Sequence, residues 1–292
     1  MRALNFRRIA GTTILTLTLG MSGLSAQELH EFADTSRLVS IGGSLTEIIY
    51  ALGEDSKLVA RDQTALYPEA ALALPDVGYM RALAPEGVLS VSPSALLVID
   101  GSGPPESLDV LSHAGVEYQT VPESYSADGV LVKIRAVGQA LGVADKAEAL
   151  AKTTEQQFAD LAARTGSITE KKRVLFILSV EGGKIQASGT GTAADGIIAL
   201  SGAVNAIDEY AGYKALTEEA IIDAAPDVIL MMDRGGDHSA SDADLKANPA
   251  IALTPAGQND AFYRLDGAYL LGFGPRTAAA ANEVADLLYG AN

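Results

Sequence analysis

Short apolar runs alternate along this chain with segments whose apolar residues recur every three or four positions. The first run, residues 38–41 in "RLVSIGGSLTEIIYALG", reads as a buried strand. Gly42 and Gly43 turn it into a helix, with Ser44 as the expected N-cap, Glu47 at the capping-box position and Gly53 as the stop. "SALLVID" (94–100) and "GVEYQTVP" (115–122) read as two more strands, separated by a helix around 108–113. From residue 126 the period changes: Val130, Ile134, Val137 and Leu141 recur at spacings of four, three and four. After Gly142 a second helix is predicted over about 145–164, rich in Ala, Lys, Glu and Gln with a sparse apolar face. "KRVLFILSV", "DVILMMD" and "AFYRLDGAY" then restart the strand–helix alternation.

Strands alternating with helices imply parallel βαβ units. The expected fold is therefore α/β: two βα lobes with parallel central sheets, joined by one long helix, with a cleft between them. The predicted boundaries are a leader at 1–26, a first lobe at 27–140, the connecting helix at 141–170 and a second lobe at 171–292. An internal echo supports two lobes. Glu86 is followed seven residues later by Pro93 and then an apolar strand; Glu219 is followed seven residues later by Pro226 and then another. Clefts between domains, and the carboxyl ends of strands in open α/β sheets, are the ordinary ligand sites.

Composition narrows the function. Arg2, Arg7 and Arg8 begin a segment with no acidic residue before Glu28, and the apolar run at 9–19 ends in "SGLSA". That run is shorter than the roughly 20 residues needed to span a bilayer, so it reads as an export signal cleaved near Ala26. Its loss removes three positive charges and no negative ones, taking the formal charge from −16 to −19. Such a balance argues against nucleic acid and against anionic lipid surfaces. With no cysteine, disulfides, Fe–S clusters, thiolate zinc sites, thiol nucleophiles and a lipid-modified cysteine are all excluded. A soluble periplasmic location is expected.

Among candidate chemical residues, Tyr79 and Arg81 stand first, two positions apart in "PDVGYMRALAPEG", a loop ended by the helix that Pro85 begins. A phenol is a hard oxygen donor once ionised, and a nearby guanidinium favours the ionised form. The same pair fits an ordinary loop anchor, and the residues alone leave both readings open. Tyr67 in "LYPEA" is read as structural. Of the histidines, His30 falls in an N-terminal stretch expected to be disordered, His113 ends a helix, and His238 lies in the polar loop "RGGDHSASD"; these do not form a zinc cluster. "GTGTAADG" leads into a helix near Ala194, so it is either an anion-receiving helix start or a plain tight turn. "GFGPRT" places Arg276 at the start of the last helix, where a cation opposes the helix dipole and needs a partner: a ligand carboxylate, or a protein Asp or Glu. No G-x-S-x-G elbow and no nucleophile–base pair is present, which argues against an exported hydrolase.

Five segments carry a resemblance: "SIGGSLTEIIYALG", "YPEAALALPDVGYMRALAPEGVLSVSPSALLV", "ASGTGTAADGIIALSGAVNAI", "GYKALTEEAIIDAAPDVILMM" and "GFGPRT". Together they span most of the mature chain, which resembles the periplasmic haem-binding proteins of bacterial haem-uptake ABC transporters. Those belong to the helix-hinged class of substrate-binding proteins that also serves cobalamin and ferric siderophores.

The resemblance implies a non-enzymatic carrier of ferric haem b. Tyr79 matches the axial ligand of the haem iron, Arg81 the arginine beside it, and Arg276 a cleft arginine of the second lobe facing the haem or its propionates. His238 is a remote candidate for a sixth ligand. Glu86 and Glu219 match the glutamates, one per lobe, that dock on basic pockets of a permease dimer carrying its ATPase, with an outer-membrane haem receptor as the donor route. Some relatives offer a second-lobe histidine to iron or hold a second haem. "SVEGGKIQASG" has no histidine, so one five-coordinate ferric haem is expected. The alternatives are the same fold carrying a ferric siderophore or cobalamin and, more remotely, an exported hydrolase or haem-processing enzyme.

Overall fold

The computed structural model describes residues 29–233 and 240–291. The expected leader at 1–26 and His238 lie outside the described residues.

The first sheet is wholly parallel, in the order β2-β1-β3-β4. Its strands are β1 (Leu38–Ile41), β2 (Leu58–Arg61), β3 (Ala95–Ile99) and β4 (Glu117–Val121), with α1 (Gly43–Ala51), α2 (Pro85–Leu89) and α3 (Pro105–Ser112) between them. β1 and β3 are buried at every position, as central parallel strands covered on both faces must be. β2 has no breaker separating it from the turn after Gly53 and was not anticipated.

Two helices follow the first sheet. α4 (Ala127–Ala140) is capped by the Ser126 hydroxyl, which accepts from the Gly129 amide. α5 (Ala144–Thr165) has 22 residues, a length of about 33 Å at the usual rise. It packs on α4 and on helices of the second lobe.

The second lobe contains β5 (Arg173–Glu181), β6 (Lys184–Ser188), α6 (Ala193–Leu200), β7 (Val204–Asn205), β8 (Tyr213–Leu216), α7 (Glu218–Ala224) and β9 (Val228–Asp233). These are followed by α8 (Asp242–Ala247), α9 (Pro249–Ala252), α10 (Pro255–Gln258), β10 (Phe262–Asp266), α11 (Gly267–Leu271) and α12 (Thr277–Tyr289). Its strand order is β10-β9-β5-β6-β8, with β7 also along β5. The expectation of parallel sheets holds for β10, β9, β5 and β7 but not for β6 and β8, which run antiparallel. The cause is local: Gly182 and Gly183 both take positive φ, 56° and 79°, and make the two-residue turn that folds β5 back as a hairpin.

Alternation along β5 sends Val174 and Phe176 into one core and Leu175 and Ile177 into another. The first core is continuous from Leu38 and Leu96 through Val137 and Phe158 to Phe273 and Val284. The lobes are thus welded through α4, α5 and α12, an arrangement suited to small relative movements.

Candidate functional site

Tyr79 sits on a loop that runs from β2 to α2. A parallel bridge between Arg61 and Asp76, and amides donated from Val77 to the Arg61 carbonyl (3.0 Å) and from Gln63 to the Gly78 carbonyl (2.8 Å), hold it to the sheet edge. Gly78 has φ +106°, which a side chain would resist. The turn closes with the Ala82 amide donating to the Tyr79 carbonyl at 2.8 Å. Met80 is buried while Tyr79 stays 39% exposed. The Arg81 Nη1 donates to the Tyr79 hydroxyl at 2.9 Å. The pair is therefore formed in the folded chain and open to solvent.

Buried Asp62 organises this loop. Its carboxylate accepts from the amides of Gly42 and Thr64, both at 2.9 Å, and from the Thr64 hydroxyl, and it also receives the Met80 amide between Tyr79 and Arg81. It serves α1 too: the N-cap is Gly42, without a side-chain cap. Ser44 and Glu47 do not form the expected capping box, because both side chains are used elsewhere. Burial pushes the Asp62 carboxyl above its usual range, with the donated hydrogen bonds pulling back.

Arg81 gathers three tyrosines. Burial weakens its charge, but the Tyr79 hydrogen bond and the neighbourhood of Tyr79, Tyr125 and Tyr213 leave its pKa raised. Tyr125, between β4 and α4, stacks edge-on against Phe273 at 5.3 Å. Tyr213 opens β8 in the second lobe. Burial raises both phenols, and Tyr213 is held partly down by Thr192, Arg81 and the Ala194 amide.

The second-lobe candidates divide. Thr192 caps α6, accepting from the Asp195 amide, and the Asp195 carboxylate accepts from the Gly191 amide at 3.0 Å. "GTGTAADG" is therefore a turn closed by its own carboxylate. Arg276 is the N-cap residue of α12, one position ahead of the helix rather than in its first turn. Its partner is a protein carboxylate. Glu47 Oε2 accepts from Arg276 Nη2 at 2.8 Å and Glu47 Oε1 from the Arg276 amide at 3.2 Å. The guanidinium lies 3.5 Å from the Tyr67 ring centroid and 5.2 Å from that of Tyr269, a cation–π arrangement.

A second bridge between the lobes was not anticipated. Lys133, fully buried, donates from Nζ to Glu123 Oε2 at 2.8 Å, to the Phe273 carbonyl at 3.0 Å and to the Ser44 hydroxyl at 3.2 Å. Burial lowers the Lys133 pKa and raises that of Glu123. Phe273 has φ 49°, in the region that disfavours side chains. A sequence signal existed: Lys133 lies on the stripe of Val130, Ile134 and Val137, where a lysine needs a buried partner.

Glu86 and Glu219 follow Tyr79 and Tyr213 along the chain by seven and six residues respectively. Each is the second residue of its helix, α2 and α7, and each is exposed. Among the described residues neither carboxylate has a hydrogen-bond or ion-pair partner. His30 is not free as expected: its amide and carbonyl bond the Gln119 side chain of β4. His113 is exposed at the end of α3. Among the described residues no group of three His, Cys, Asp or Glu is placed to hold a metal ion, and no helix is long and apolar enough to cross a membrane.

The repeat extends into the site. "GYMRALAPE" (78–86) and "GYKALTEE" (212–219) share Gly-Tyr, then Ala-Leu, then the helical glutamate, with one residue fewer in the second. Tyr213 is the second-lobe counterpart of Tyr79, a correspondence hidden in the sequence by that missing residue.

A family model described as "Periplasmic binding protein" matches residues 38–269. The chain belongs to the periplasmic binding protein family. Two solved structures lie near this periplasmic binding protein. The haem-binding protein BhuT, in complex with two haems, is 38% identical with a TM-score of 0.82, over 86% of this chain and 97% of that one. The haem-binding protein RhuT of Roseiflexus sp. RS-1, in apo form, is 37% identical with a TM-score of 0.83, over 88% and 98%. An uncharacterized ABC transporter substrate-binding lipoprotein, YvrC of Bacillus subtilis (strain 168), is 27% identical over 269 residues, 91% of this chain and 83% of that protein. The family and these relatives are binding proteins, so the fold places this periplasmic binding protein among carriers.

Proposed function

We propose that this protein captures ferric haem in the periplasm through a Tyr79 phenolate and delivers it to an ABC permease with its ATPase. The observation that carries the reading is the Tyr79 hydroxyl, exposed yet already held by Arg81 at 2.9 Å. A phenolate offered beside a fixed cation is a hard donor suited to ferric iron. Two relatives of 37–38% identity described as haem-binding support it. Arg81 stabilises the ligating oxygen. Arg276 is engaged by Glu47, and a propionate would compete for it. Glu86 and Glu219, without partners among the described residues and at equivalent helix starts, are the permease contacts. In this reading the leader is removed near Ala26, residues 27–140 and 171–292 form the lobes, and 141–170 hinge them. An outer-membrane receptor supplies the haem.

Titration of the purified mature chain with hemin tests this. A tyrosinate-ligated high-spin ferric spectrum, lost in Tyr79→Phe, is the expected result. A spectrum indifferent to Tyr79, or none, overturns it. The end point gives the stoichiometry: one haem is expected, because the second lobe offers no histidine among its described residues, whereas BhuT holds two.

A further inference from the structure

The two lobes present their exposed glutamates through the same clamp. In the first lobe, Arg37 directly precedes β1; its amide donates to the Ser94 hydroxyl at 3.0 Å, and the Ser94 amide returns to the Arg37 carbonyl at 2.9 Å. The Arg37 guanidinium reaches the chain just after α2, donating from Nε to the Ser92 carbonyl at 2.7 Å and from Nη2 to the Val91 carbonyl. In the second lobe, Arg173 opens β5; its amide donates to Asp227 Oδ2 at 2.8 Å, and the Asp227 amide returns to the Arg173 carbonyl at 2.8 Å. Its Nε donates to the Ala224 carbonyl at 2.9 Å, at the end of α7, and its Nη2 to the Ala206 carbonyl at 3.0 Å.

The backbones match as closely as the side chains. Ser92 and Ala225, each six residues after its glutamate and each preceding a proline, have φ 50° and 40°. Each amide donates three residues back, Ser92 to Leu89 and Ala225 to Ile222. Neither residue is glycine, so this left-handed turn carries strain in both lobes, and the arginine fork supplies the contacts that hold it.

We propose that Arg37 and Arg173 are positioning residues for partner docking, fastening α2 to β1 and α7 to β5. Each acidic knob then moves rigidly with its own sheet. The separation of Glu86 and Glu219 consequently reports how far the two sheets have closed, and a permease with two basic pockets reads cargo occupancy from that separation. The inference rests on the proposed docking role of those glutamates.

The test uses the full mature chain, hemin-loaded, with its permease–ATPase in proteoliposomes, measuring ATP hydrolysis against carrier concentration. Arg37→Gln and Arg173→Gln are expected to raise the half-saturating concentration on the order of fivefold, with hemin binding unchanged and Arg37→Lys partly restoring it. Adding Arg37→Gln to Glu86→Ala is expected to give no further loss, whereas adding it to Glu219→Ala does. A purely structural role would not produce that lobe-matched pattern. If Glu86→Ala weakens stimulation while Arg37→Gln and Arg37→Lys do not, or if the same-lobe losses add in full, the clamp is overturned. If Glu86→Ala and Glu219→Ala both leave stimulation unchanged, the docking reading itself falls.

Discussion

Glu47 and Arg276 lie 229 residues apart and meet across the lobes, with Oε2 and Nη2 at 2.8 Å. One carboxylate takes both the guanidinium and the backbone amide of the residue that caps α12. It thereby offsets a cation placed against the positive end of a helix dipole. Gly274 is part of this fit, since a Cβ there would stand 3.2 Å from the Glu47 carboxyl.

Glu47→Gln should therefore lower stability by about 1–2 kcal/mol, the range for a partly exposed charge-assisted contact whose partner stays in place. Urea denaturation of the apo-protein measures it as a lower midpoint at unchanged slope. A variant as stable as the parent would show that the bridge contributes nothing net.

Three tyrosines bear on the charge of Arg81, only Tyr79 by a hydrogen bond, and they should separate in a hemin titration. Tyr79 is the exposed one and carries the Arg81 hydrogen bond. Tyr213 is raised by burial and set toward Thr192 and the Ala194 amide. Tyr213→Phe is expected to keep the tyrosinate spectrum and shift affinity by less than about tenfold. Arg81→Leu should keep binding but release hemin at a higher pH on acidification, because the proton then competes with iron for an oxygen without its cation. Loss of the spectrum in Tyr213→Phe, with retention in Tyr79→Phe, would exchange the two roles.

The α/β plan, α4, α5 and the strands β1, β3, β4, β5, β9 and β10 were legible because each is a periodic helix or a run of strand-forming residues beside Gly, Pro, Asn or Asp. β2 has four residues and no breaker, and β8, at the sheet edge, is only part-buried; neither pattern rises above its surroundings. The hairpin of β5 and β6 is marked by Gly182 and Gly183, the adjacent glycines of its turn. Tyr79, Arg81, Glu86 and Glu219 stand out through motif and repeat. The contacts that Asp62 makes with the Tyr79 loop, Glu47 with Arg276 and Glu123 with Lys133 do not, since they join segments whose pairing spacing does not encode. Lys133 alone left a local trace, as a charge on an apolar stripe.

That lysine makes a sharp stability test. Lys133→Met leaves Glu123 buried without its cation and should cost about 3 kcal/mol or more. Lys133→Met with Glu123→Leu removes both charges and should recover most of that loss. A double-mutant cycle by urea denaturation measures the coupling. Additive losses would mean that Lys133 acts through the Ser44 and Phe273 contacts and not through Glu123.

Asp62 sets a pH dependence with a definite sign. Burial raises its carboxyl above the ordinary aspartate range, so between that range and the raised value the folded chain holds more protons than the unfolded one. Stability contributed by this group is then greatest in acid and falls as pH rises through that window. Asp62→Asn abolishes the titration while keeping the shape, and its single carbonyl still accepts from part of the set formed by Gly42, Thr64 and Met80. The advantage of the parent over Asp62→Asn is therefore expected to shrink as pH rises from about 4 and then level off, in urea midpoints taken at successive pH values. A gap that widens with pH would mean that the donated hydrogen bonds outweigh burial and favour the carboxylate. The loop bearing Tyr79 and Arg81 would then be held by a charge rather than by a buried acid.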